Sequence, residues 1–243
     1  LLDESLYKGA RPVLWSVVEK TALADAEVEY KDHTSNIVYV KFKITKSKFK
    51  KLINNYLMIW TTTPWTLPAN VGLAVSAESN YVVVEGDFGN GSEQLVVAED
   101  LLSTISNYEY SLRQVIKGEA LVGLTYTPLF TPETLENAYR VIEADFVSMD
   151  DGTGIVHIAP AYGAEDLEVG RREGLPVLHT VHQDGIIMDT VPQWAGVFIK
   201  EADEDIISDL RARGVLYEAG VIRHTYPFCW RCDSPLIYYA KVS

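Results

Sequence analysis

Three threonines between two tryptophans form the first segment whose residue types could support chemistry. The segment reads Trp60-Thr-Thr-Thr-Pro-Trp-Thr-Leu-Pro-Ala-Asn70. A short apolar run precedes the threonines, and Pro64 ends the strand that this run predicts. The hydroxyls must then find partners or face a cavity, which Trp60 and Trp65 would wall. Composition alone does not separate this interpretation from a β-branched strand end whose hydroxyls are all satisfied.

A second segment, Asp150 to Asp166, combines glycines, a histidine and an aspartate. Gly152 and Gly154 would let the backbone approach a ligand closely. His157 lies in an apolar strand pattern, where a satisfied core histidine and a catalytic histidine look alike. Asp166 follows early in a predicted helix, where an acid can also be a plain partner of the helix dipole. Both functional interpretations gain support if the two segments meet in one pocket.

The two cysteines, Cys229 and Cys232, form a Cys-x2-Cys knuckle, which is half of a tetrahedral zinc site. Two more ligands are needed, and His224 is the nearest candidate, whereas His179 and His182 have no other support as ligands. Two cysteines cannot make a disulfide framework, so we expect a reducing, cytoplasmic environment. The sequence contains no phosphate-binding loop, dinucleotide fingerprint or Gly-x-Ser-x-Gly elbow.

Composition limits the class of protein. The chain has 243 residues, 47% apolar and 23% charged, which is typical of a globular protein. Because no apolar run approaches the roughly 18 residues of a membrane helix, we expect no membrane association. The net charge of −13 argues against nucleic-acid binding through bulk charge. Six lysines nevertheless fall between Lys41 and Lys51, which predicts either a solvated hairpin tip or a local phosphate contact.

Strand patterns dominate the elements that must position these segments. Alternating or continuously apolar runs predict strands at 36–44, 55–60, 139–147 and 155–158. A turn-rich segment between the runs 81–85 and 94–98 predicts that these two runs form a hairpin. Helical patterns occur at 99–106, 164–173 and 200–213, with a helix-favouring run at 21–27 and a late turn at Ala219–Gly220. Strands do not alternate regularly with helices. The sequence therefore predicts an α+β fold with a curled, barrel-like sheet and peripheral helices.

The chain resembles the editing domain of isoleucyl-tRNA synthetase in three places. The threonine segment Trp60–Asn70 resembles that family's threonine-rich motif, and Gly152–Pro160, followed by Gly163 and Asp166, resembles its second editing motif. The segment Tyr226–Pro235 resembles the point where the chain returns to the catalytic domain. Valyl and leucyl enzymes carry an Arg where this chain has Thr63, which favours the isoleucyl family.

The resemblance covers nearly the whole chain and implies a division into three parts. Residues 1–26, including the motif Lys8–Trp15, resemble the segment leading from the catalytic domain; 27–223 would be the editing domain and 224–243 the returning segment. The aminoacylation motifs are missing, and the start lacks a Met, so we expect a piece of a longer synthetase. Many relatives carry a second Cys-x2-Cys, but here Ser16 and Glu19 stand at the corresponding positions. A four-cysteine zinc site is therefore impossible.

The resemblance implies hydrolysis of valine wrongly esterified to the isoleucine tRNA. Asp166 would pair with the substrate ammonium, and His157 would border the side-chain pocket or act as a base. Thr61, Thr62 and Thr63 would bind the substrate and place water. Further substrate contacts would come from tryptophan walls, an asparagine that holds the adenosine or orders the threonines, and the second motif: Trp60, Trp65, Asn70, Gly154, Ala159 and Pro160.

The resemblance also implies the partners and cofactors. The expected partners are the 3′ end of the isoleucine tRNA carrying valine and the remainder of the synthetase, with this chain as a cytoplasmic monomer. Editing would need no cofactor, ATP and magnesium would belong to the parent enzyme, and zinc at Cys229 and Cys232 stays open. Two alternatives remain, namely a non-catalytic tRNA-docking module and the editing domain of a valyl or leucyl enzyme.

Overall fold

The computed structural model describes residues 10–242, so Lys8 and Gly9 of the leading motif lie outside the described residues. Within residues 10–242 the chain forms thirteen strands and two α-helices. The strands are β1 Ala10–Ser16, β2 Thr21–Ala22, β3 Val28–Lys46, β4 Tyr56–Thr61, β5 Gly72–Val75, β6 Asn80–Asp87, β7 Ser92–Ala98, β8 Tyr110–Lys117, β9 Thr125–Tyr126, β10 Arg140–Glu143, β11 Ile155–Ile158, β12 Leu216–Cys229 and β13 Ile237–Val242. The helices are α1 Ala164–Glu173 and α2 Ile199–Ala212.

A ten-stranded mixed sheet dominates the molecule, which confirms the α+β prediction. Its order is β11-β5-β10-β9-β3-β4-β7-β6-β8, with β12 also paired to β3. The pairs β5–β10 and β4–β7 are parallel, and the other strand pairs of this sheet are antiparallel. Strands β11 and β8 lie at opposite ends of this order. The sheet is therefore open, and "barrel-like" describes it only loosely.

Strand β3 contributes alternating apolar residues to the core of this sheet. Val38, Val40, Phe42 and Ile44 are all fully buried in the main core. The same strand corrects one expectation about the lysines. Lys41 is fully buried and pairs with Glu93, whereas the other five lysines of the group are exposed around the β3–β4 connection. Lys41 thus belongs to the interior, and only the remaining five lie on a solvated hairpin tip.

The two ends of the described chain form a second, three-stranded sheet. Strand β1 pairs antiparallel with β13 from Ala10↔Val242 to Trp15↔Ile237, and β2 adds to its other side. Trp15 is buried, and the centre of its ring lies 5.9 Å from that of Tyr239, with the two ring planes tilted by 34°. The two ends of the described chain are therefore held next to each other.

Several predicted elements occur as expected and three do not. Helix α1 and strand β11 have the predicted bounds, and α2 differs by one residue at each end. The run 21–27 is not one helix but strand β2 followed by a 3-10 turn at Asp25–Glu27, because it is too short to nucleate a helix. The strand predicted at 139–147 is only Arg140–Glu143. Ala219 and Gly220 do not turn the chain but pair with β3 inside β12.

The topology brings the two chemistry-bearing segments together. Strand β4 ends at Thr61, and the chain continues into a 3-10 helix at Pro64–Ala69 and then β5. Because β5 lies between β10 and β11, the end of the threonine segment and the strand carrying His157 become neighbours. None of the helices in the described range is long and apolar enough to cross a membrane.

Candidate functional site

A pocket of about 300 Å³ opens between the end of β4, the glycine-rich loop before β11 and the first turn of α1. Both the threonine segment and the segment Asp150–Asp166 contribute to this pocket, which is the condition under which the functional interpretation gains support. Its walls combine hydroxyls, carboxylates and apolar groups from Trp60, Thr61, Thr62, Phe146, Ser148, Asp151, Gly152, Thr153, Gly154, Ile155, Val156, Glu165 and Asp166.

The glycine-rich loop can approach this pocket because two glycines adopt the left-handed conformation. Gly152 and Gly154 both have φ of 71°. A Cβ at Gly152 would come within 3.1 Å of the Trp60 ring, and one at Gly154 would collide with the side chain of Ala98. The loop is fixed by the bond from the Ala98 N–H to the Thr153 carbonyl, 2.9 Å. Larger residues at either glycine would push the loop away from the threonines.

Asp166 provides the best-defined polar group of the pocket. It lies in the first turn of α1, where the helix dipole favours negative charge, and its Oδ2 accepts the Ala159 N–H at 2.8 Å. Burial raises the pKa of Asp166 to about 6, and the nearby charge of Glu165 acts in the same direction. The carboxyl is therefore mostly ionised at neutral pH, although its ionisation is costly. A cationic ligand would relieve that cost.

The charge around the pocket is uniformly negative. Asp151 and Glu165 line it together with Asp166, and among the described residues neither Lys nor Arg does. Helix α1 has no capping side chain at Gly163, so Glu165 and Asp166 supply the negative charge at its N-terminus. This field suits an ammonium group and opposes an isolated carboxylate or phosphate.

The threonines and Trp60 supply uncharged hydrogen-bonding groups. Thr61 Oγ1 lies 3.3 Å from Thr63 Oγ1 and also accepts the Thr63 N–H at 3.2 Å. Thr61 and Thr62 line the pocket, whereas Thr63 lies behind them. The Trp60 indole Nε1 is shielded from solvent and has no hydrogen-bond partner within residues 10–242. This nitrogen is buried within the wall that Trp60 forms, so Thr61 and Thr62 provide the hydroxyls on this side of the pocket.

His157 lies behind the threonines and not in the pocket wall. Its ring is buried, and Nε2 lies 3.0 Å from Thr66 Oγ1. Its Nδ1 lies 2.9 Å from the amide nitrogen of Asn70, which also donates to the Gly72 carbonyl at 2.8 Å. Burial lowers the pKa of His157 to about 4. The histidine is thus neutral at physiological pH.

The hydrogen-bond directions around His157 are determined by the two groups that bind Asn70, namely the Tyr126 hydroxyl and the Gly72 carbonyl. The Tyr126 hydroxyl donates to Asn70 Oδ1 at 2.7 Å, and the Gly72 carbonyl can only accept, so the Asn70 amide orientation is fixed. His157 Nδ1 must then accept, and its protonated Nε2 donates to Thr66. Thr66 in turn donates to the Thr63 carbonyl at 2.8 Å. Both ring nitrogens are occupied, which leaves His157 no free lone pair for a substrate proton.

The remaining predicted residues support the pocket from behind. Trp65 is buried against the ring of Tyr162 at 5.0 Å, and its backbone N–H donates to Asp203. Ala159 binds Asp166 through its backbone, and Pro160 lies within contact distance of Gly170 on α1. None of these three residues lines the pocket within the described part of the chain.

The cysteine knuckle does not carry a complete zinc ligand set. Cys232 Sγ lies 3.6 Å from Ser16 Oγ and 3.1 Å from Ser234 Oγ. Zinc sites use thiolate, imidazole or carboxylate ligands, and serine hydroxyls are poor substitutes. No group of three or more His, Cys, Asp or Glu side chains suited to a metal occurs within residues 10–242. His224, the nearest predicted ligand, binds Ser35 Oγ at 2.9 Å. The residues present therefore do not fit a tetrahedral zinc ion.

Sequence reasoning missed several residues that the structure adds to the site. Phe146 and Glu165 line the pocket, and Thr66 and Tyr126 extend the hydrogen bonds of His157. A signal existed for Asp203, because this carboxylate interrupts the apolar face of α2 and is buried. Tyr126 gave no comparable signal, since its two-residue strand β9 is too short to show a pattern.

Comparison with known proteins places the chain among aminoacyl-tRNA synthetases. The family model described as tRNA synthetases class I (I, L, M and V) matches residues 1–220. The chain is 42% identical over 241 residues to the isoleucine–tRNA ligase of Clostridium tetani, covering 97% of this chain and 22% of that protein. It is 41% identical over 238 residues to the isoleucine–tRNA ligase of Carboxydothermus hydrogenoformans, covering 97% and 25%. The chain therefore spans about a quarter or less of these relatives.

A solved structure has the same fold at low sequence identity. The cytosolic leucyl-tRNA synthetase editing domain of P. knowlesi superimposes with a TM-score of 0.60 and 12% identity. The match covers 79% of this chain and 97% of that structure. At this identity the likeness supports the architecture, and the chemistry must be argued from the pocket.

Proposed function

The chain belongs to the class I tRNA synthetases for isoleucine, leucine, methionine and valine, and from this premise we propose that it is an editing hydrolase. Its substrate would be valine esterified to the 3′ end of the isoleucine tRNA, and its products free valine and tRNA. The observation that carries the proposal is the half-buried Asp166 carboxylate, whose pKa is raised to about 6, in an acidic pocket lined by Thr61 and Thr62. An aminoacyl ester carries the α-ammonium that this pocket suits.

Asp166 would hold the substrate by its ammonium group. An ionised carboxylate in a buried site makes a strong, charge-assisted hydrogen bond to a cation. Free tRNA and unacylated adenosine lack that ammonium, so the product tRNA end would leave easily. The neighbouring acids Asp151 and Glu165 add to the attraction for the cation and oppose binding of the phosphate backbone inside the pocket.

Thr61 and Thr62 would orient the ester and the attacking water. These groups are neutral, so catalysis would come from orientation and from stabilising the developing oxyanion. Because both nitrogens of His157 are occupied, its role in this proposal is to hold Thr66 and Thr63, not to abstract a proton. The ribose hydroxyl beside the ester is the remaining group that can position water.

The small apolar part of the pocket would admit the valine side chain. Phe146, Ile155 and Val156 contribute to the same walls as the carboxylate. Isoleucyl-tRNA synthetase is itself the standard example of the limit set by one methylene, which is worth roughly 1–3 kcal/mol in an apolar pocket. A second site that accepts valine and excludes isoleucine would complete the discrimination.

Most tRNA affinity would come from elsewhere in a longer synthetase. The net charge of −13 disfavours the tRNA backbone, apart from the five exposed lysines near the β3–β4 connection. In this proposal residues 1–26 and 224–243 connect the editing domain 27–223 to the rest of a cytoplasmic, monomeric enzyme. ATP and magnesium would serve aminoacylation there and not the hydrolysis.

The proposal is tested by measuring deacylation of valyl- and isoleucyl-charged isoleucine tRNA. Two proteins are used. The first is this chain, and the second, called the replaced ligase, is the C. tetani ligase in which the segment aligned over 241 residues is exchanged for this chain. Each is compared with an Asp166→Ala variant, and Glu168→Ala on the same helix is the control. We expect valine to be released faster than isoleucine, with the loss of activity confined to the Asp166 variant.

Each other result contradicts a stated part of the proposal. No release by the chain or by the replaced ligase would rule out hydrolysis and leave a tRNA-docking module. Equal release of both amino acids would rule out the side-chain sieve. Undiminished release by Asp166→Ala would rule out the ammonium contact.

A further inference from the structure

The 3-10 helix that follows the threonines is capped from another part of the molecule. This helix, Pro64–Ala69, begins after Thr63, whose side chain makes no capping bond to it. Pro64 has no N–H, and the Trp65 N–H donates to Asp203 Oδ1 at 3.0 Å. Asp203 lies in helix α2, 138 residues further along the chain. One of the first-turn N–H groups that have no partner within the helix is thus satisfied by a distant carboxylate.

This arrangement releases the hydroxyl of Thr63 from its usual task. A threonine that precedes a helix commonly uses its side-chain oxygen to accept an N–H of the first turn. Here Thr63 Oγ1 lies instead 3.3 Å from both Thr61 Oγ1 and Thr66 Oγ1. Asp203 performs the capping, and the Thr63 hydroxyl remains within hydrogen-bond distance of Thr61, which lines the pocket.

As a cap for the Trp65 N–H, Asp203 costs more folding free energy than a neutral acceptor would. It is 4% exposed, and burial raises its pKa to about 6 despite the charge of Lys200 and a hydrogen bond from Asn36. Lys200 is half-buried, with its Nζ 5.6 Å from the ring centre of Tyr226 and its pKa lowered by burial. A neutral acceptor would cap the Trp65 N–H without the cost of a buried charge.

We propose that Asp203 is a positioning residue, whose carboxylate holds the Trp65 backbone and so sets the threonine hydroxyls at their distance from Asp166. The proposal rests on the hydrolysis proposed above. Asp203 does not line the pocket within residues 10–242. Its effect is transmitted through a single backbone bond to the residue that follows Pro64.

The test compares Asp203→Ala, which removes the acceptor, with Asp203→Asn, which keeps it. Glu204→Ala is the matched control, because Glu204 is the next residue of α2 and is exposed. Two readouts are taken on the 243-residue chain and on the replaced C. tetani ligase. The first is amide hydrogen exchange at Trp65 in the chain, with Ile206 in α2 as internal reference. The second is kcat and KM for valyl ester hydrolysis in the form that shows activity.

We expect Asp203→Ala to speed exchange at Trp65 about tenfold or more and to lower kcat about tenfold, because misplaced groups lose orientation. KM should stay within about twofold, since Asp166 and the tRNA contacts are untouched. Asp203→Asn should restore most of kcat and of the exchange protection. Exchange at Ile206 and both kinetic constants of Glu204→Ala should remain at wild-type values.

Unchanged exchange at Trp65 in Asp203→Ala would overturn the cap, whatever the activity. Faster exchange at Trp65 with unchanged kcat would show that the bond is only structural and would overturn the positioning role. Faster exchange at Ile206 as well would mean that α2 itself has loosened, which also contradicts a local effect. If wild-type protein is inactive in both forms, the proposed hydrolysis fails, while exchange at Trp65 still decides the cap.

Discussion

The two sides of the threonine segment use their polar groups in opposite ways. On the pocket side, defined by Trp60, Thr61, Thr62 and Asp166, the indole N–H has no hydrogen-bond partner among residues 10–242, and the carboxylate is ionised at a cost. On the core side, defined by Thr66, Asn70, Tyr126 and His157, the four side chains are joined in one series of hydrogen bonds, in which both ring nitrogens of His157 have partners. A cationic group would offset the cost of ionising Asp166, whereas the core-side groups already satisfy one another.

This difference teaches that the residue type alone does not identify the working group. His157 has the side chain most often used for acid–base catalysis, yet it lies on the satisfied core side. Asp166 could have been a plain partner of the helix dipole, yet it lies on the pocket side. Substitutions on the pocket side should lower activity more than stability, and substitutions on the core side should do the reverse.

The largest effect is expected at Asp166. Asp166→Asn should lower kcat/KM for valyl ester hydrolysis at least about 100-fold, because losing one partner of a buried charge pair costs on the order of 3 kcal/mol. The same change should stabilise the fold. A carboxyl whose pKa is raised to about 6 contributes stability when protonated and loses it as pH rises through 6.

Parallel thermal unfolding and kinetics at pH 7.5 check this prediction. Replacing the ionised group by a neutral amide should raise the free energy of unfolding by on the order of 2 kcal/mol. A destabilised Asp166→Asn protein would contradict the account of the pocket side. Glu168→Gln on the same helix serves as the control and should change neither quantity.

A matched pair of isosteric changes separates the two sides directly. Thr62→Val, in the pocket wall, should reduce hydrolysis about tenfold with little change in stability. Thr66→Val should destabilise the protein by about 1–3 kcal/mol, because the buried His157 N–H would lose its acceptor. Urea unfolding and deacylation rates of both variants are compared, and reversed effects would break the distinction.

The pH dependence of stability should report His157 alone among the core-side groups. Its pKa of about 4 lies below the ordinary value near 6.5, so its stabilising contribution is complete above pH 6.5 and is lost as pH falls towards 4. Relative to His157→Gln, the wild type should lose roughly 2–3 kcal/mol of unfolding free energy between pH 7 and 4. A constant difference across this range would show that the ring is not held neutral. Asp166 and Asp203 act with the opposite sign and cancel in this subtraction.

The smallest effect is expected at the cysteine knuckle. Cys232→Ser replaces a thiol that lies beside the hydroxyls of Ser16 and Ser234 and outside the pocket lining, and it should change deacylation by less than about twofold. Elemental analysis of the purified wild-type chain should find no stoichiometric zinc. Stoichiometric zinc that Cys232→Ser abolishes would contradict the conclusion that these residues do not fit the metal.

The sequence predicted the parts of the fold and site that depend on local patterns. Helix α1, strand β11 and the hairpin of β6 and β7 follow from periodicity and turn residues. The place of Asp166 in α1 is equally typical of a partner of the helix dipole, so its proposed role came from the resemblance of the motif. Long-range facts were not predictable in this way. The burial of Lys41 depends on Glu93, and the extension of β12 through Ala219 depends on pairing with β3. The core-side position of His157 depends on Asn70 and Tyr126, which only the folded sheet brings to it.

The most direct test of the central claim is whether Asp166 recognises the substrate ammonium. Binding of a non-hydrolysable valyl amide of 3′-amino-3′-deoxyadenosine is measured by calorimetry at pH 7.5, beside the same amide lacking the α-amino group. Both ligands are titrated into wild type and Asp166→Asn, which completes a double-change cycle. We predict that either single change weakens binding strongly and that the second change then adds nothing. Independent, additive losses would contradict the pairing of Asp166 with the ammonium.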